Sequence, residues 1–258
     1  MNFDVGYFLH LLFHPPTALL RGLLLTTGSA IASMILGMML GTLLALGGLS
    51  KSILLRAVNQ IYIGFFRGTP ILVQLMLVYF GLPYLMGGID LFPQEIAFGF
   101  LNVSGALLAG VIVFGLHEAA FMSEITRSGI EAVDVGQTEA AKSLGMTPWL
   151  TFSRIVFPQA FRTILPPLGN GFNAMFKTTS LLSTIAVPEL FHVADAIQAA
   201  SYRTFEVYLA VSVYYLVLTG VWTIVQKLIE RRTNRSIRST STRVALSRSA
   251  RGSAEVNA

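Results

Sequence analysis

The residues able to do chemistry in this sequence are few, and the most telling ones stand inside apolar stretches. Lys177 sits in the run 165–187, preceded by Asn170 and Asn173 and followed by Thr178, Thr179 and Ser180. On a helix, Asn170, Asn173 or Ala174, Lys177 and Ser180 or Leu181 recur every three or four residues and align as one stripe. A cation at membrane depth is costly and is usually paired or set beside the path of a polar solute. Glu118 and Glu124 are its candidate partners. Arg67 precedes Gly68-Thr69-Pro70, where its guanidinium either faces a substrate carboxylate or braces a bend. Nothing points to catalysis. His117 and Glu118 lack metal-ligand spacing, and His10, His14 and His192 are isolated. No Ser, His and Asp set can be assigned, and no metal site is expected. The chain has no cysteine, which excludes disulfides and thiolate-held metals. It also lacks the G-x-x-x-x-G-K-[ST] loop that cradles nucleotide phosphates.

These residues must be positioned by elements that suit an apolar solvent. Of 258 residues 53% are hydrophobic and only 12% charged, with a mean hydropathy of +0.66. A soluble surface needs more charge than this, so the composition indicates a membrane protein. A crossing takes about 20 mostly apolar residues, because a helix satisfies its own backbone in hydrocarbon. Five stretches qualify: about 19–49, 61–86, 103–122, 165–187 and 205–225. The second is interrupted at Pro70, which predicts a kink. The expected architecture is an all-α membrane protein with five transmembrane helices spanning 19–226.

Orientation follows from the basic residues between the spans. Segments 50–60, 123–164 and 226–258 hold fourteen of the eighteen Lys and Arg, whereas 1–18, 87–102 and 188–204 hold Arg203 alone. This places the N-terminal segment 1–18 outside and the C-terminus in the cytoplasm. From Lys227 onward eight basic residues face only Glu230 and Glu255, a topology anchor beside anionic lipid. This tail, 227–258, is expected to be mostly disordered. It lacks the interleaved aromatics of a nucleic-acid binder, and no nucleic acid is expected as a partner.

The cytoplasmic segment 123–164 is too long to be structureless. Asp134 is a plausible N-cap for a short helix over Gln137 to Leu144, Gly145 a stop, and Pro148 the opening of the next helix. Here the order Glu139-Ala140-Ala141, Gly145 and Ile155-Val156-Phe157-Pro158 resembles the EAA signature of the membrane subunits of bacterial ABC importers. Phe157 stands where that pattern has Leu. Phe66-Arg67-Gly68-Thr69-Pro70, Glu124-Ile125-Thr126-Arg127, Leu165-Pro166-Pro167-Leu168-Gly169-Asn170 and Lys177-Thr178-Thr179-Ser180-Leu181 are similar to the polar amino acid permease branch. Together these cover roughly Leu19 to Lys227.

The resemblance implies a type I ABC importer-like permease fold in the bacterial inner membrane. It implies a dimeric core with a second permease, identical or homologous, two copies of a P-loop ATPase inside and a solute-binding protein outside. ATP and magnesium would belong to the ATPase, with no cofactor on this chain. Glu139, Ala140, Ala141, Gly145, Ile155 and Pro158 would form the coupling contact with it. The path for an amino acid substrate would be lined by residues among Arg67, Thr69, Pro70, Asn170, Gly171, Ala174, Lys177, Thr178 and Ser180. Members that look adapted to cationic amino acids carry acids where this chain has Gly171 and Thr178. Neither residue can neutralise a positive side chain, so these two positions are not expected to hold one. The competing reading is an ion-coupled secondary transporter or channel, for which Glu118 would be the coupling carboxylate.

Overall fold

In the computed structural model the described residues are 3–98 and 101–256, with side chains described as far as Thr233 and excluding those of 97, 98, 101 and 102. The order is α1 (Val5–Phe13), α2 (Thr17–Gly48), α3 (Ile53–Gly68), α4 (Ile71–Met76), α5 (Leu82–Leu85), β1 (Ile96–Phe98), β2 (Leu101–Val103), α6 (Gly105–Glu131), α7 (Val135–Ser143), α8 (Pro148–Thr151), α9 (Phe157–Thr178), α10 (Leu190–Ser201) and α11 (Thr204–Val256). Three of these helices are long and apolar enough to cross a membrane: α2, α6 and α11 as far as Thr233. Two bent pairs also qualify, which makes five crossings if each pair is one span.

A seam of small residues holds α2 against α6. The buried face of α2 carries Gly22, Thr26, Ala30, Ser33, Gly37, Gly41 and Ala45 at three- and four-residue spacing; Gly37 and Gly41 meet α6, while Gly22 and Thr26 meet Glu189 and Leu190 at the start of α10. Lipid tails are as apolar as leucine, so helices associate in a bilayer through close van der Waals approach of small residues. At Gly41 a Cβ would stand 2.5 Å from that of Met122 and 2.8 Å from the Ala119 carbonyl oxygen. The two helices run parallel, Gly37 meeting Glu118 and Gly41 meeting Met122. By contrast Leu24, Met39 and Leu43 of α2 and Leu216, Val217, Val221 and Ile224 of α11 are exposed, in keeping with lipid-facing surfaces.

The remaining helices close around this pair. The α9 helix runs antiparallel to α6, with Ile164 over Gly129 and Gly171 over Glu118. Pro166 and Pro167 stand inside it, each removing a backbone donor. Beside the prolines α11 adds side-chain bonds to other carbonyls of the helix: Trp222 Nε1 donates to the Gly169 carbonyl (2.8 Å) and Gln226 Nε2 to that of Pro166 (3.3 Å). The Trp222 ring stacks on Phe172 at 4.2 Å.

Several stretches differ from the sequence reading. The interruption expected at Pro70 within 61–86 is a sharp break between two helices. Helix α3 begins at Ile53, and the pair Ile53–Gly68 and Ile71–Leu85 bends by 104°, because Thr69 and Pro70 are both extended (ψ 145° and 134°). Segment 188–204, read as a connection, contains α10. It follows a 3-10 stretch, Thr179–Ile185, that ends at Ala186 in the left-handed region (φ 59°). The fold is helical as expected, with one short antiparallel hairpin, β1 with β2, among the described residues. Residues 227–256, expected to be mostly disordered, continue the α11 helix. The tail's side chains beyond Thr233 lie outside those described.

Candidate translocation and coupling sites

The segment from α7 to α9 is built from capping chemistry. Asp134 caps α7, accepting from the Gly136 backbone N–H at 2.6 Å. At the other end the Gly145 N–H donates to the Lys142 carbonyl (2.9 Å) and the Met146 N–H to that of Ala141 (3.1 Å). This is the paired closure of a left-handed helix end, and Gly145 has the φ of +74° it requires. Thr147 then caps α8, accepting from the Leu150 N–H. A π-helical turn, Phe152–Val156, follows and joins α9. Ala141 faces inward and is buried, while Glu139, Ala140, Gly145 and Pro158 are exposed and Ile155 is half-buried. The turn between α7 and α8 presents Leu144 (82% exposed) and Trp149 (74% exposed) to the outside. Large apolar side chains that exposed on a polar loop mark a contact surface.

Helices α4, α6 and α9 enclose a cleft of about 330 Å³. Gly171, Ala174 and Thr178 face it from α9, His117, Glu118 and Phe121 from α6, and Ile71 from α4. The predicted stripe therefore divides. Gly171, Ala174 and Thr178 come together, whereas Asn173 donates to Thr223 on α11 (3.2 Å) and Asn170 accepts from Gln226 there (3.5 Å). Lys177 is exposed and not part of the cleft wall. Ser180 donates to the Lys177 carbonyl at 2.7 Å, a local bond within its own turn.

The proposed partners of Lys177 are engaged elsewhere or point away. Glu124 accepts from Arg127 (3.2 Å) and pairs with Arg67 at 3.7 Å. Arg67 also lies over the Phe121 ring, 5.4 Å from its centroid. Of the two readings of Arg67, the contacts are those of a brace between the α3–α4 break and α6. Glu118 is turned toward α2 and α9, and among the described residues Lys177 makes no ion pair.

Gln74, which sequence reasoning passed over, organises that break. Its amide nitrogen donates to the carbonyls of Phe66 (3.0 Å) and Thr69 (3.1 Å) and to Thr69 Oγ1 (2.8 Å). Two of these acceptors are carbonyls, so the nitrogen end of the amide must face them. The Gln74 oxygen is thus left for His117 Nδ1 at 3.0 Å, which fixes the proton on Nδ1. The usable signal was a buried-type amide four residues after Pro70 in an apolar run.

Glu189 was also missed, having been read as part of a loop. It is wholly buried and caps α10, accepting from the backbone N–H of Phe191 (2.9 Å) and His192 (2.7 Å), from Thr26 (3.3 Å) and from Tyr215 (3.2 Å). It ties α2, α10 and α11 together.

A family model described as the binding-protein-dependent transport system inner membrane component matches residues 33–235. The chain belongs to this family. It is 40% identical over 220 residues to a Bacillus subtilis (strain 168) protein named "Probable amino-acid permease protein YxeN", covering 85% of this chain and 93% of that one. It is 38% identical over 236 residues to "Probable amino-acid ABC transporter permease protein PatM" of Vibrio harveyi, covering 92% and 99%. A solved amino acid ABC transporter chain superposes with a TM-score of 0.76 at 36% identity, covering 90% of this chain and all of the other. The chain is accordingly a multi-pass permease subunit of the bacterial inner membrane. It is a transport subunit without a catalytic site of its own, and ATP hydrolysis belongs to a separate ATPase.

Proposed function

We propose that this chain forms half of the path of an ATP-driven importer for polar amino acids or closely related small solutes. In this reading a second permease, identical or homologous, completes the path. Two ATPase copies, carrying ATP and magnesium, dock on the cytoplasmic side, and a solute-binding protein delivers substrate from outside. The chain crosses five times, N-terminus outside and C-terminus inside, each bent pair counting as one crossing. Glu139, Ala140, Ala141, Gly145, Ile155 and Pro158 belong to the coupling surface, and the cleft of Gly171, Ala174 and Thr178 to the path. Amino acids are named for both curated relatives, which supports the substrate class.

The observation that carries the coupling is the exposed turn at Leu144 and Trp149, held rigidly between two capped helices. A rigid apolar knuckle transmits a push from a partner better than a flexible loop, because its backbone has no freedom left to absorb displacement. The chain is naturally free of cysteine, so Leu144→Cys provides a unique thiol. It should cross-link to a cysteine-bearing ATPase subunit in the assembled transporter, in a yield that changes between nucleotide-free and ATP-bound states. Absence of any such cross-link in an assembled complex would refute docking through this turn. The ion-coupled reading draws on the buried carboxylate of Glu118 alone, and uptake by the isolated chain under an ion gradient would favour it.

A further inference from the structure

The cleft holds a carboxylate that the bundle does not use. Glu118 is 8% exposed, yet among the described residues it makes no hydrogen bond or ion pair. Burying a carboxylate with nothing to answer it is expensive, and an ionisable group kept inside a membrane bundle marks a candidate functional position. Two glycines on opposite helices make its room. A Cβ at Gly37 would stand 2.8 Å from the Glu118 Cβ, and one at Gly171 would stand 2.8 Å from Glu118 Oε1. The carboxylate therefore occupies the space that a side chain at 171 would fill.

The rest of the wall agrees with a cationic guest. Ile71, Phe121, Ile125, Pro167, Ala174 and Met175 are apolar, and the lining contains neither Lys nor Arg. Arg67, at the α3–α4 break, is held by Glu124 and Phe121. His117 has its Nδ1 proton committed to Gln74, which leaves Nε2 as an acceptor. One carboxyl group, one neutral ring nitrogen and the Thr178 hydroxyl are thus the polar groups of a cleft whose lining carries no Lys or Arg.

We infer that Glu118 is a specificity-determining residue of the path, accepting the positively charged nitrogen of an amino acid as it passes. The inference rests on the proposed importer function. The acid missing at Gly171 and Thr178 is supplied from the facing helix instead. The charged nitrogen can be the α-ammonium common to all amino acids or a basic side chain.

The test uses the complete transporter, with its ATPase and solute-binding protein, in proteoliposomes, and the twenty common L-amino acids supplied singly. With Glu118→Gln, the saturating uptake rate of the transported amino acids should fall tenfold or more, with little change in KM, which the binding protein sets. A fall confined to lysine and arginine assigns the side-chain nitrogen; a fall for neutral amino acids as well assigns the α-ammonium. The double variant Glu118→Ala with Gly171→Glu returns a carboxylate to the same space from α9 and should recover uptake to within about fivefold of the parent. Uptake by Glu118→Gln within twofold of the parent would overturn the inference and leave the importer reading standing. So would a loss that the relocated carboxylate fails to restore, since that marks Glu118 as a packing group. A parent assembly that hydrolyses ATP but moves no amino acid would overturn both.

Discussion

Glu118 and Glu189 are both buried carboxylates in the helical bundle, and they are opposite in kind. Glu189 is fully enclosed and met by two backbone N–H groups and two hydroxyls; Glu118 is nearly as buried and met by none. A carboxylate whose lone pairs are filled by its own protein is part of the scaffold, fixing the start of α10 against α2 and α11. One whose lone pairs are empty, in the wall of a cleft, is free to answer something else. In the proposed reading the contrast separates a fixed scaffold contact from the wall of the solute path.

The largest expected effect breaks the scaffold member of the pair. Glu189→Ala strips acceptors from two buried N–H groups and should cost about 3 kcal/mol or more, read as a large drop in Tm of the purified protein or failure to assemble. Glu118→Gln should do the reverse, leaving Tm within a few degrees while uptake falls as described above. Were both to unfold the protein equally, the distinction would be lost. Next comes Gln74→Leu, which leaves the Phe66 and Thr69 carbonyls without their donor and His117 without its anchor. About 1–2 kcal/mol of destabilisation is expected, with uptake impaired because the α3–α4 break loosens beside the cleft.

Gly145→Ala lies far from both carboxylates and should cost about 1–2 kcal/mol through its positive φ. Its effect should appear in coupling, as ATP hydrolysis that no longer tracks uptake. The smallest effect lies near the N-terminus. The Arg203 guanidinium and then the Tyr7 backbone N–H hold the exposed Asp4 carboxyl below the usual carboxylate range. A lowered folded-state value means the contact stabilises above the ordinary carboxylate range and is lost as pH falls through the folded value. A modest decline in Tm on acidification should therefore shrink in Asp4→Asn.

The apolar runs, their interruption at Pro70 and the caps around α7 were readable because each follows from local chemistry: hydropathy, a missing donor, a glycine forced to positive φ. The size of the bend at Thr69 and Pro70 was not, since proline marks a break without saying what braces it. That depends on Gln74 and His117 meeting across 43 residues of chain. The polar stripe on α9 was half legible. Spacing put Asn170, Ala174 and Lys177 together, but α11 claimed the asparagines and left Gly171, Ala174 and Thr178 to the cleft. Glu189 was hidden because a residue after proline reads as loop, and its partners Thr26 and Tyr215 come from two other helices.

The central claim is that this chain moves amino acids only when driven by an ATPase docked on the α7–α8 turn. The most direct measurement is uptake of radiolabelled amino acids into proteoliposomes, first with the permease and binding protein alone, then with the ATPase subunit and ATP. The account predicts uptake only in the second case, abolished when ATP is omitted. Substantial uptake by the chain without the ATPase, driven by an ion gradient, would contradict it.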